Sequence, residues 1–197
     1  AEGIVKTVVK DNKAAIVEVN SETDFVAKND EFQGFVETVV NQIVDSEAAD
    51  MDAFMAEAWA ADTTKTVKDA LVEKIAVIGE NLNIRRFEKV AADNGCVVSY
   101  IHGGGRIGVL VKFDTTPEIA AKEEFKAYAK DICMQVAAAN PSYLNEASVP
   151  ADVIEHERKI LTEQVINEGK PAQIAEKIVN GKMGKYYKEN CLVDQLF

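Results

Sequence analysis

The chain opens with two short apolar runs separated by polar residues. Residues 3–10 (Gly-Ile-Val-Lys-Thr-Val-Val-Lys) predict a strand. Asp11-Asn12-Lys13 predicts a tight turn, and Ala14-Ala15-Ile16-Val17-Glu18-Val19 predicts the returning strand of a hairpin. The period then changes. Phe32, Phe35, Val36, Val39, Val40 and Ile43 follow helical spacing, with Asn29 or Asp30 as the cap. Residues 50–60 favour helix. Thr63 or Thr64 is the expected cap of a further helix carrying Val67, Leu71, Ile75 and Ile78, which Gly79 ends. Leu82 and Ile84 alternate with polar residues towards Val90, a third strand that closes the first sheet.

The same order of elements returns farther along. Val97-Val98-Ser99-Tyr100-Ile101 and Ile107-Gly108-Val109-Leu110-Val111-Lys112-Phe113 predict strands around the turn His102-Gly103-Gly104-Gly105-Arg106. A helix over 123–139 carries Phe125, Tyr128, Ala129, Ile132, Met134 and Val136. Residues 16–20 lie over 110–114, and Glu31-Phe32 with Phe35 lie over Glu124-Phe125 with Tyr128, the pattern of an internal duplication. The expected fold class is α+β: two duplicated ββα subdomains with antiparallel sheets. Pro141 breaks the last of these helices and Pro150 opens another at its first turn. Apolar residues Val153, Ile154, Ile160, Leu161 and Val165, then Ile174, Ile178, Met183 and Tyr187, flank the turn Gly169-Lys170-Pro171. They predict an antiparallel, coiled-coil-like helical hairpin, a candidate surface for self-association. The expected boundaries are 1–94, 95–147, 148–190 for the hairpin, and 191–197 as the start of a further segment.

Charge narrows the function. The net charge of −11 comes from 33 acidic against 22 basic side chains, which disfavours direct binding to nucleic acid. No apolar run approaches the roughly 18–20 residues that span a bilayer. No secretory or organelle leader pattern opens the chain, so a cytoplasmic protein is expected. Cys96, Cys133 and Cys191 and the histidines His102 and His156 are scattered, without metal-ligand spacing or a disulfide framework. No cofactor or metal is expected. The triple glycine leads into a strand rather than a helix, which makes it a hairpin turn and not a phosphate cradle. Nucleophilic and metal-assisted chemistry are poorly supplied, so the chain reads as a binding protein rather than an enzyme.

The feature that stands out is the junction Asn20-Ser21-Glu22-Thr23-Asp24-Phe25-Val26-Ala27-Lys28-Asn29. It sets a large aromatic beside a carboxylate in a polar connection. Phe25 is either a staple against the following helix or a wedge offered to a partner. On the residues alone the staple is the simpler reading. Similarly, Ile78-Gly79 is either a helix end or part of a contact loop, and His102 either closes its turn or meets a partner. The matching junction of the second copy, Asp114-Thr115-Thr116-Pro117-Glu118, has no aromatic.

Residues 20–27 closely resemble the signature of translation elongation factor Ts. So do Ile78-Gly79-Glu80-Asn81-Leu82-Asn83-Ile84-Arg85-Arg86, then Tyr100-Ile101-His102 with Arg106-Ile107-Gly108-Val109-Leu110-Val111. A last match is Gly169-Lys170-Pro171 with Ile174-Ala175-Glu176-Lys177-Ile178 and Gly181-Lys182-Met183. The resemblance runs in family order over almost the whole chain. It implies a guanine-nucleotide exchange factor for elongation factor Tu, met in its GDP-bound and nucleotide-free forms, that promotes GDP release by disturbing the Mg²⁺ and phosphate site. On matching positions it implies that Thr23, Asp24, Phe25 and Val26 enter the partner, with Phe25 as the wedge and Asp24 beside it. Ile78, Gly79, Glu80 and Asn81 would form a second contact loop, and His102 would touch another domain of the partner. The alternative is a dimerisation or scaffold module that binds elongation factor Tu without efficient exchange. Family members usually begin with a small helical module and continue past residues 192–197. A core fragment is therefore expected, with one strand fewer in the second sheet and reduced exchange.

Overall fold

Alternate residues of the returning strand, Ala15, Val17 and Val19, are apolar, so pairing the two strands turns that face of the hairpin towards a core. In the computed structural model, which describes residues 1–197, strand β1 (Glu2–Lys10) pairs antiparallel with β2 (Lys13–Ser21) around Asp11-Asn12. A one-turn helix, α1 (Asp24–Ala27), leads to α2 (Asp30–Asp45). The Asn29 side chain caps α2 by accepting from the Glu31 and Phe32 N–H groups at 2.8 and 3.4 Å. The apolar stripe of α2 is buried as its spacing predicts: Phe32, Phe35, Val36, Val39, Val40, Ile43 and Val44. It packs in one core with Ala15, Val17 and Val19 of β2. Each such side chain contributes about 1.5–3 kcal/mol on burial.

The next stretch departs from expectation. Helix α3 runs only over Met51–Met55, and β3 (Ala58–Trp59) and β4 (Asp62–Thr66) form a short hairpin where a longer helix was expected. Two local causes are visible. The Val67 N–H donates to the Glu57 carbonyl at 2.9 Å, which folds the chain back on itself. Trp59 is buried with its ring 5.7 Å from that of Phe35, so the turn gives the core its only tryptophan. The cap of α4 (Val67–Ile78) is Thr66, not Thr63 or Thr64. Thr66 accepts from the Asp69 N–H at 3.1 Å while Asp69 accepts from the Thr66 N–H at 3.0 Å, a reciprocal capping box. Thr64 spends its hydroxyl on Asp62 at 2.6 Å.

Strand β5 (Asn83–Ala91) completes a sheet of order β1-β2-β5. Its register against β2 slips between Glu18 and Val19, which face Arg86 and Ile84 and leave Arg85 as the extra residue of a bulge. Both guanidiniums reach Glu18, at 3.1 Å for Arg85 and 2.7 Å for Arg86. Burial alone would raise the Glu18 carboxyl; the two arginines more than offset it and hold it below the usual carboxylate range.

Strands β6 (Gly95–His102) and β7 (Ile107–Asp114) form a separate two-stranded sheet. The triple-glycine turn joins them, and its Gly105 carbonyl accepts from the Val5 N–H of β1 at 2.8 Å. Gly108 approaches β1 so closely that a Cβ there would stand 2.4 Å from Val5 Cγ1. A second one-turn helix, α5 (Pro117–Ala120), follows, capped by Thr116, and then α6 (Glu123–Ala139). The buried residues of α6 are Ala129 and Cys133; Met134 and Tyr128, expected on the apolar face, are exposed, though the Tyr128 ring still meets those of Phe113 and Phe125. Burial pushes the Cys133 thiol up to about 11, so it stays protonated and unreactive.

The chain divides into two compact units, Ala1–Ala137 and Ala138–Phe197. The second is built on α7 (Ala151–Asn167) and α8 (Ala172–Asn190), which form an antiparallel pair around Val165, Ala175, Val179 and Met183. Pro150 and Pro171 stand immediately before the two helices. At the base, the Ser142 and Tyr143 N–H groups donate to the Asn190 carbonyl, which ties the entering chain to the end of α8. No helix is long and apolar enough to cross a membrane.

The cap assignment is open to test by urea unfolding. Thr66→Ala should cost roughly 0.5–2 kcal/mol, as loss of a side-chain cap does. Thr64→Ala should stay within about 0.5 kcal/mol, as surface changes do.

Candidate functional site

The junction between β2 and α2 must reverse the chain in a few residues, and four polar groups pin it. Ser21, buried at the end of β2, donates its hydroxyl to the Thr23 carbonyl at 2.9 Å. Thr23 caps α1 by accepting from the Val26 N–H at 3.3 Å. The Gln33 amide donates to the Ala27 carbonyl at 3.2 Å. The fourth group, Glu80, comes from 57 residues farther along the chain than Thr23.

The resulting turn has a defined inside and outside. Ala27 is buried and Val26 half-buried against the core. Phe25 points the other way and is 82% exposed. It therefore staples nothing within this chain. Its neighbour Asp24 is also exposed, with only a loose contact to Lys28 at 3.9 Å. A single exposed apolar residue is ordinary on a protein surface. A phenylalanine held outward on a turn fixed by several hydrogen bonds presents its ring from a backbone with little conformational freedom left to lose.

The second predicted segment meets the first here. Gly79 adopts φ 82°, the left-handed conformation that ends α4, and its N–H donates to the Ile75 carbonyl at 2.8 Å. The chain then places the Glu80 carboxylate over the start of α1. One of its oxygens accepts from the Glu22 and Thr23 N–H groups, both at 3.1 Å. The other accepts from the Thr23 hydroxyl at 2.6 Å. In return a Glu22 oxygen accepts from the Asn81 N–H at 3.3 Å. Ile78 is half-buried at the edge of the main core. The Thr23 hydroxyl is the main influence holding the Glu80 carboxyl below its ordinary value, and the two backbone N–H groups add to it against the opposing effect of burial.

His102 stands apart from these eight residues. It sits at the end of β6, exposed, with its Nδ1 2.9 Å from the Tyr100 hydroxyl. Sequence reasoning missed Ser21, Glu22 and Gln33 as supports. Ser21 and Gln33 make local bonds, two and six residues away, whereas the Glu22 bond to Asn81 spans 59 positions and leaves no local pattern to read.

A carboxyl group with a depressed pKa stabilises the fold above its ordinary value and loses that effect as pH falls through the lowered one. The Glu80 side-chain carboxyl, followed by NMR, should titrate with a midpoint below 4.5, and Thr23→Val should move that midpoint upwards.

Comparison with known proteins gives this geometry a family. The family profile described as Elongation factor TS matches residues 22–197. Proteins named Elongation factor Ts are similar along the whole chain. That of Clostridium kluyveri is 50% identical over 199 aligned positions, covering 100% of this chain and 64% of the relative. Those of Clostridium novyi and Clostridium tetani are 48% and 45% identical with the same coverage. The chain thus spans 64% of the length of these relatives. The match spans both the Phe25 turn and the Glu80 loop that closes on it, and the chain belongs to the elongation factor Ts family.

Proposed function

We propose that the chain acts in translation elongation as the core of a guanine-nucleotide exchange factor for elongation factor Tu, in the cytoplasm and without covalent chemistry of its own. The observation that carries this reading is Phe25, 82% exposed on a turn pinned by the hydrogen bonds of Ser21, Thr23, Gln33 and Glu80. An exchange factor must bind its GTPase more tightly when nucleotide is absent, and linkage then requires that it weaken nucleotide binding by the same factor. Burial of one phenylalanine in the partner supplies about 1.5–3 kcal/mol, roughly a 10- to 150-fold bias if realised only in the nucleotide-free complex. In this reading Phe25 enters the GTPase beside its Mg²⁺ site, with Thr23, Asp24 and Val26 around it. Mg²⁺ demands near-octahedral geometry, so a small displacement of its ligands weakens the phosphates it bridges. Ile78, Gly79, Glu80 and Asn81 form the adjoining surface, and His102 meets a separate part of the partner.

We also read residues 1–94 and 95–147 as duplicated subdomains, with 148–190 as a helical hairpin. In each half a strand leads through a threonine-capped single helical turn into a long helix: Thr23 accepts from Val26 at 3.3 Å, and Thr116 accepts from Ile119 at 3.2 Å. Counted from the capping threonine, Phe25 and Glu118 occupy the same position. The scaffold thus accommodates a charged residue there, which favours a specialised role for Phe25 over a structural one. Ile160, Ile166 and Ile174 are exposed on the hairpin and favour self-association through it. Sedimentation velocity at rising concentration should show a dimer that Ile166→Lys weakens; a monomer at every concentration would remove the dimer from the proposal.

The test of exchange is release of fluorescent GDP from elongation factor Tu. The chain should accelerate release, and added Mg²⁺ should slow the accelerated rate. Phe25→Ala should lose at least about tenfold of the acceleration while unfolding within about 0.5 kcal/mol of wild type, because the side chain is exposed. Binding to elongation factor Tu without acceleration would favour a scaffold role instead.

A further inference from the structure

The family resemblance treats Glu80 as one more residue that meets the partner. Its bonding in the free chain points elsewhere. A carboxylate has about four acceptor positions. Three are already filled, by the Glu22 N–H, the Thr23 N–H and the Thr23 hydroxyl. The Thr23 hydroxyl has one hydrogen and gives it to Glu80 at 2.6 Å, while its oxygen receives the Val26 N–H. The two bonds use different capacities of the same atom, so the clamp and the helix cap hold together. Phe25 lies inside the loop that this cap closes, between Thr23 and Val26. The reciprocal bond from the Asn81 N–H to Glu22 makes the link two-way.

We infer that Glu80 is a positioning residue that clamps the Thr23 turn, so that the two loops form one rigid surface and Phe25 is held in the direction a partner needs. This deepens the exchange reading proposed above and rests on it. Loss of the carboxylate leaves the Glu22 and Thr23 N–H groups without their acceptor and frees the Thr23 hydroxyl to rotate. The turn then keeps Ser21, Gln33 and the Thr23 cap, its hydroxyl no longer held in one direction, as side-chain supports. Glu80 is no part of the core cluster in which Val17 and Val19 are buried, so its loss leaves that packing in place.

A double-mutant cycle separates positioning from direct contact. Release of fluorescent GDP from elongation factor Tu is measured with the wild-type chain, Glu80→Ala, Phe25→Ala and the double variant. Amide hydrogen exchange is measured on each free chain. Glu80→Ala should slow release at least about fivefold, and the double variant should be no more than about twofold slower than Phe25→Ala alone. In the free Glu80→Ala chain the Glu22 and Thr23 amides should exchange at least about tenfold faster, with Val17 and Val19 unchanged. Glu80→Gln keeps one carbonyl oxygen for the N–H groups and should fall between wild type and Glu80→Ala.

Multiplicative losses in the double variant would show that Glu80 touches the partner itself and would overturn the inference. Unaltered exchange of the Glu22 and Thr23 amides would overturn it too. Wild-type release by Glu80→Ala, with loss in Phe25→Ala, would remove the positioning role and leave the exchange reading standing. Wild-type release by Phe25→Ala would overturn the exchange reading, and with it the functional purpose assigned to the clamp.

Discussion

Burial of the α2 stripe against the β1-β2-β5 sheet is the constraint on which the rest of the first unit depends. Seven side chains of α2 are buried, and they are committed to the face of the sheet that carries Val17 and Val19. The end of β2 and the start of α2 are thereby fixed in space. The residues between them must make a sharp turn, and their backbone groups need partners near the surface. Ser21, Thr23, Gln33 and Glu80 provide them. The outward phenylalanine is a consequence of this geometry: a single helical turn with Ala27 facing the core leaves Phe25 on the opposite side.

Much of this was legible in the sequence, for physical reasons that differ along the chain. The first hairpin and α2 follow from periodicity, because each has one face buried and one wet. Gly79 was readable as a helix stop because a left-handed residue there costs glycine little. Residues 50–60 carry a local preference for helix that holds over Met51–Met55 and yields beyond it, where Trp59 packs against Phe35. Thr66 rather than Thr64 caps α4 because an acidic residue, Asp69, stands three positions on, a signal carried by the sequence itself. On α6, Cys133 is the buried residue and its neighbour Met134 faces out, since helical spacing from Ala129 reaches 133 and not 134.

The candidate site was legible in a different sense. Its residues could be named from family resemblance, but their physical relation could not. Nothing in one sequence indicates that Glu80 binds the backbone of Glu22 and Thr23, since the bonded positions are 57 and 58 residues apart. The ambiguity over Phe25, staple or wedge, is likewise a question about direction, which periodicity does not address in a helix of four residues. Exposure answers the first half of it: within this chain Phe25 has no cover.

The central claim is that Phe25 is an anchor for a partner, and the most direct measurement asks what lies against its ring. A photoreactive phenylalanine analogue at position 25 is irradiated in the presence of elongation factor Tu, with and without GDP and Mg²⁺, and the adducts are mapped by mass spectrometry. The account predicts adducts on elongation factor Tu, close to its metal site, that are strongly reduced when GDP and Mg²⁺ are present. Adducts confined to this chain's own α2, whether or not the partner is present, would contradict it.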